Sequence, residues 1–166
     1  MWIFLKKILN IKTNYEGKQI DFDNAWIIDK INNRENLLEF LFENTPEKSV
    51  WSIEGVYNKD ILNLLSKFAH TDETKVALGT VWPKQIHIKI LLTNDSKFEI
   101  LKHISNWDLS EDIVHQHIYK EDVFYLTSFD NLSENCTWIS KNITKKLLEN
   151  LKQESIIDFY DSNENR

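Results

Sequence analysis

The sequence predicts an α+β fold: one mixed or mostly antiparallel sheet with helices packed mainly on one face. Three observations carry that expectation. Helix-periodic and strand-alternating segments are interspersed from Trp26 to Trp107, and three strand-like runs follow, joined by polar links too short for crossover connections. The composition, 42% hydrophobic and 28% charged over 166 residues, is that of a globular domain with its own core. A chain of this length needs no disulfide or metal to fold.

Residues 1–24 read as an N-terminal segment and loop, 25–153 as a single α+β domain, and 154–166 as a frayed tail. At the start, Met1-Trp2-Ile3-Phe4-Leu5-Lys6-Lys7-Ile8-Leu9 would line one side of a helix with Trp2, Leu5 and Leu9. Its apolar run precedes the lysines and has no small-residue cleavage site after it, so it reads as a segment packed on the domain rather than a secretory signal. Asn14, Gly17, Asp21, Asp23 and Asn24 then mark a loop.

Asn32 with Glu35 forms an N-cap pairing ahead of Leu37, Leu38, Phe40 and Leu41, and Pro46 stops that helix. Residues 50–57 are β-branched and aromatic, hence a strand. Asn58 can cap a helix whose apolar positions Ile61, Leu62, Leu65, Phe68 and Ala69 keep helical spacing up to His70. Residues 76–82 read as a second strand, broken by Pro83. Ile86, Ile88, Ile90 and Leu92 then alternate with His87, Lys89 and Leu91, which buries one face. Ser96 with Glu99 suggests a capping box for a helix ending near Trp107, with Phe98, Ile100, Leu101 and Ile104 inward. Residues 113–119, 123–129 and 136–139 follow as hairpin strands, and Ser140 can cap a last helix with Ile143, Leu147, Leu148 and Leu151 inward. The spacings mark Leu65, Ile86, Ile88, Ile90, Ile104, Phe124, Leu126 and Leu147 as buried.

Composition also narrows the function. Cys136 is the only cysteine, which excludes an intrachain disulfide framework and suits a reducing, cytoplasmic setting. Lysine supplies nearly all the basic residues, with Arg34 and Arg166 the only arginines, and asparagine and isoleucine are plentiful, the coding bias of an AT-rich bacterial genome. The net charge is −6, and no stretch interleaves lysines with aromatics, which disfavours direct nucleic-acid binding. No apolar run approaches the roughly 20 residues that span a bilayer, so no membrane association is expected. Gly17, Gly55 and Gly79 are too scattered for a phosphate loop, and there is no Gly-x-Ser-x-Gly elbow.

The residues with the strongest claim to chemistry are His115-Gln116-His117-Ile118-Tyr119, since the two-residue period of a strand puts His115, His117 and Tyr119 on one face. Two histidines so spaced can both reach one zinc, and a third ligand would come from His87, His103, Glu54 or Cys136. The pattern selects none of them, so the expectation is no metal and no cofactor. Glu54, ending a strand before Gly55, is a candidate general base, although alternation would also place it with Ser52 on a solvated face. Cys136 has no evident base beside it and reads as a half-buried strand thiol. Six tryptophans are present, and any left exposed is a candidate anchor for a protein partner.

The strand ending Ile53-Glu54-Gly55, the run Gly79-Thr80-Val81-Trp82-Pro83-Lys84, the run His115-Gln116-His117-Ile118-Tyr119-Lys120, and the strand and helix around Ser140 resemble a family of small bacterial proteins with no assigned activity. The resemblance spans roughly residues 42–151. It implies a compact α+β unit and draws attention to Glu54, Trp82 and His117, with Trp82 and His117 as binding candidates. Small size, acidity, aromatic content and the lack of a catalytic signature lead to a non-enzymatic protein-binding module, such as a toxin-neutralising immunity protein whose partner is a basic toxin or effector. The alternative is a small enzyme or ligand-binding protein using a groove lined by His115, His117, Tyr119 and Glu54.

Overall fold

The computed structural model describes residues 17–80 and 83–164. Seven strands and four α-helices succeed one another as β1 (Ala25–Ile31), α1 (Arg34–Asn44), β2 (Ser49–Val56), α2 (Lys59–Ser66), β3 (His87–Leu92), α3 (Asn94–Ile104), β4 (Ile113–Lys120), β5 (Val123–Ser128), β6 (Thr137–Ser140), α4 (Lys145–Gln153) and β7 (Ile157–Asp161). The strands form one sheet in the order β3-β2-β4-β5-β6-β1-β7, and every neighbouring pair is antiparallel. The α+β expectation holds.

The helices begin where a short polar side chain can satisfy their first amides. Asn33, one residue after the expected cap, accepts from the Asn36 N–H at 2.9 Å, and α1 ends where Thr45 takes the extended backbone that a following proline favours. Asn58 caps α2 through the amides of Asp60 and Ile61. That helix stops at Ser66 rather than His70, because His70 N–H instead donates to Lys89 O at 2.8 Å and lays the chain along the outer edge of β3. Thr93 and Ser96 form the capping box of α3, three residues ahead of the expected Ser96–Glu99 pair. Ser140 belongs to β6, and its hydroxyl accepts from Asn142 N–H before α4 begins at Lys145.

All four helices pack on one face of the sheet. Leu37, Leu38, Leu41 and Phe42 of α1, Ile61 and Leu65 of α2, Ile100 and Ile104 of α3, and Leu148 and Leu151 of α4 join Ile28, Trp51, Ile53, Ile90, Ile118, Leu126 and Ile139 from the strands in the main core. The other face is also covered, by irregular chain. Ile20 and Val76 pack there on Ala25, Ile27, Val50, Tyr119, Phe124 and Trp138.

Several expectations need correction. Residues 76–80 carry only an isolated bridge, Val76 with Lys18, rather than a strand, and residues 81–82 lie outside the described residues, as do 1–16, 165 and 166. The expected frayed tail carries a strand instead: β7 pairs along β1, and Ile156 and Ile157 are buried. Ile86 is exposed at 50%, since the strand begins only at His87, and Phe98, expected on the inward side of α3, is 67% exposed, the buried side of that helix being Ser96, Ile100 and Ile104. Ile88 and Leu147 are partly buried against the core, while Leu65, Ile90, Ile104, Phe124 and Leu126 are buried as expected.

Candidate functional site

On the face away from the helices, the registers of β3, β2 and β4 align polar side chains in rows. Glu54 stands opposite His87 on one side and His115 on the other; the next row holds Lys89, Ser52, His117 and Thr127. Directly opposed residues on a sheet face have Cβ atoms about 5 Å apart. Thus His115, His117 and Tyr119, singled out by spacing, do lie on one face, and Glu54, singled out by its place at a strand end, lies there too, together with His87. They are not solvated: Ser52, Glu54, His115, His117 and Tyr119 are all buried. The alternation rule fails here because residues 72–80 cover the face that it would leave to water.

Those residues are fastened by polar bonds. The Glu54 carboxylate accepts from Gly79 N–H at 2.7 Å and from Thr80 N–H at 3.0 Å. His115 Nδ1 accepts from the Asp130 N–H at 3.1 Å, so a neutral ring carries its proton on Nε2 and donates it to Thr80 Oγ1 at 3.0 Å. His117 Nε2 faces the Ala77 carbonyl at 2.8 Å, which can only accept, so Nδ1 is the acceptor for the Thr127 hydroxyl at 3.0 Å. That hydroxyl in turn accepts from Ile20 N–H. Gly79 lies so close to His115 that a Cβ there would sit 2.4 Å from the ring, which accounts for glycine at this position.

Tyr119 holds the beginning of the same segment. Its hydroxyl donates to Asp72 Oδ2 at 2.7 Å, and Lys89 donates to the other oxygen of that carboxylate and to Thr74 O at 2.6 Å. Asp72 is held below the usual carboxylate range by Lys89 and Tyr119, which outweigh its desolvation, whereas burial and Asp72 push the Tyr119 phenol up. Burial lowers His117 to about 4 and also lowers His115, against the opposing pull of Glu54 and Asp130. Both rings are neutral at pH 7.

Of the candidate third ligands, Glu54 and His87 share the row, His87 bonding Ser52 at 2.7 Å, but His103 belongs to α3 on the opposite side of the sheet. Cys136 is half-buried and its thiol is pushed up by burial. Among the described residues, no group of three or more histidine, cysteine, aspartate or glutamate side chains is arranged to hold a metal ion. No helix among them is long and apolar enough to cross a membrane.

A second feature lies at the end of the sheet where β2 finishes and β4 starts. Asp130, Asn131 and Leu132 all take left-handed backbone, with φ of 53°, 63° and 54°. Three such residues in succession cost about 1–3 kcal/mol each, and strain of this kind persists where the surroundings over-determine it. Here it is held by the bond from Asp130 N–H to His115, by Asn131 N–H on Val114 O, and by Arg34, which donates to Asn131 O. Beside it, Tyr57 is 63% exposed, and its N–H donates to Asp112 O at the close of a turn carrying Asp108, Glu111 and Asp112. A groove of about 380 Å³ continues along α2, lined by Asp60, Leu64, His103 and Trp107. Trp26, Trp51 and Trp138 are buried and Trp107 is partly so; Trp2 and Trp82 fall outside the described residues. Among the described residues the exposed aromatics are Tyr57 and Phe98, at 63% and 67%, and the tryptophan count gave no reason to single out either. No protein-family model matches the chain, and neither curated proteins nor solved structures match it.

Proposed function

We propose that the protein is a non-enzymatic binding module, of the kind that neutralises a bacterial toxin, and that it engages a basic partner protein through the Tyr57 end of the sheet. The observation that carries this reading is the 63% exposure of Tyr57 beside the acidic turn at residues 108–112. An exposed aromatic that a partner can bury supplies affinity, and the surrounding carboxylates set the association rate and exclude acidic partners. The groove between Leu64 and Trp107, with a mostly polar rim that includes Asp60 and Lys67, offers a second contact. Left-handed backbone at residues 130–132 supports the same end, since strained segments gather at binding and switching sites. The alternative, an enzyme using the His115, His117, Tyr119 and Glu54 groove, has less support, because residues 76–80 fill that groove and both histidine rings are fully engaged.

The test is to place a photo-cross-linking residue at Tyr57, with Phe98 on α3 as the control position, in the native host. A basic protein captured at position 57 and not at 98, whose binding to the purified chain weakens at least about 10-fold in Tyr57→Ala, is the expected result. Equal capture at both positions, or binding unaffected by Tyr57→Ala, would refute it.

A further inference from the structure

Twenty residues separate the end of α2 at Ser66 from the start of β3 at His87, and the described ones carry only isolated bridges. Connections of that length without regular structure are uncommon in compact domains and are commonly lids or binding loops. This one crosses a sheet face made of Ser52, Glu54, His115, His117 and Thr127, so its far end is fixed by hydrogen bonds more than by apolar packing. We propose that residues 72–80 form an acid-released strap, whose 77–80 end leaves the sheet when the histidines beneath it take up protons while the sheet itself stays folded.

The geometry gives each protonation a structural consequence. A second proton on His115 would sit on Nδ1 and face the Asp130 N–H, so the ring must turn and lose its bond to Thr80 as well. A second proton on His117 would point at Thr127 Oγ1, which already accepts from Ile20 N–H and would lose the acceptor for its own hydrogen; the Nε2–H bond to Ala77 O favours the charged ring but is outweighed by the cost of burying it. The charged and titratable groups around these rings are Glu54 on β2, His87 and Lys89 on β3, Tyr119 on β4, Asp130 after β5, Asp72 within the strap and Lys84 beyond it. Glu54 and Asp130 favour a charge on His115, and the three rings lie close enough that His87 and His115 disfavour one on His117. His87, which bonds Ser52 rather than the strap, is lowered by partial burial and then by Lys89, against Glu54 and Asp72.

His115 and His117, the two rings bonded to the strap, are thus harder to protonate with it closed than in water. The released state takes up protons first, so release grows as pH falls from about 6.5 toward 4 and is suppressed above 6.5. For His117, from an ordinary value of 6.5 to about 4, the opening constant at pH 5 is about 30-fold that at pH 7.5. Release uncovers Glu54 and His115 beside His87, which is exposed already.

Amide hydrogen exchange, corrected for the intrinsic pH dependence, tests this directly at Gly79 and Thr80, whose N–H groups donate to Glu54. The expected result is an opening constant that rises about 30-fold or more from pH 7.5 to 5, with Ile53 and Ile118 in the sheet core unchanged. In His117→Gln, whose amide can replace both hydrogen bonds without titrating, the rise should shrink to below about 10-fold. Opening that is the same at both pH values, a parallel rise at Ile53 and Ile118, or a full rise in His117→Gln would each overturn the proposal. The wild-type comparison decides it even if the variant does not fold.

Discussion

Glu54 shows how much a single residue's environment escapes the sequence. Its position at a strand end was legible; its place opposite His115 was not, because that needs the pairing of β2 with β4, and neither was its use, because the amides that it holds come from residues 25 and 26 positions away. A carboxylate is suited to that task, since both oxygens accept and neither donates. Glu54→Gln turns one acceptor into an NH₂ group facing an N–H, leaving buried donors unpaired. The expected outcome is a loss of about 1–3 kcal/mol in urea unfolding with the m-value unchanged. A loss below about 0.5 kcal/mol would mean that the carboxylate does not anchor the strap. Gly79→Ala probes the same contact from the other side. Its Cβ would meet the buried His115 ring at 2.4 Å, and that ring is held at both nitrogens, so an overpacking penalty of about 1–3 kcal/mol is expected from the same measurement.

Whether an element could be read from the sequence depended on how its two faces are covered. β3 faces an apolar core on one side and polar or mixed surroundings on the other, and its alternation was plain; β5 breaks its own, since the extra residue Tyr125 opposite Ile118 and Tyr119 sends Leu126 to the helical core and Phe124 to the other face. β1 is buried on both faces, with Trp26 and Ile28 against the helices and Ala25 and Ile27 against the irregular layer, so it reads as an apolar run without period. Residues 76–80 have strand-like composition because Val76 and Ala77 cover the sheet, not because they extend it. β7 was hidden by the acidic, asparagine-rich sequence around it, although it completes the edge beside β1. Deleting residues 154–166 would leave β1 paired only with β6, remove the buried Ile156 and Ile157, each worth about 1.5–3 kcal/mol, and expose the side chains around them. The truncated chain should therefore lose at least about 3 kcal/mol and expose apolar surface to a dye such as ANS. Unchanged thermal unfolding would show that β7 is dispensable, as a frayed tail would be.

At the scale of the whole molecule, the sheet divides the work between its faces and its ends. The helical face supplies the apolar core, the opposite face spends its histidines and Glu54 on holding the strap, and the Tyr57 end collects an exposed aromatic, an acidic turn and strained backbone. The proposed partner site therefore has two separable contributions. Glu111 and Asp60 are exposed, so screening should act on them mainly through the rate of encounter; Tyr57 would be buried by the partner, so its removal should act on dissociation. With a cross-linked partner in hand, raising salt from about 50 to 500 mM should slow association at least about 10-fold while leaving dissociation within about 2-fold. Replacing Glu111 and Asp60 by Gln and Asn should lower the low-salt association rate and flatten the salt dependence. Tyr57→Ala should instead speed dissociation by about 10-fold or more at either salt concentration. Stopped-flow and surface-binding kinetics separate these rates. If salt and the charge substitutions leave association unchanged while Tyr57→Ala still acts, the acidic turn is not part of the interface and the partner is not selected by its charge.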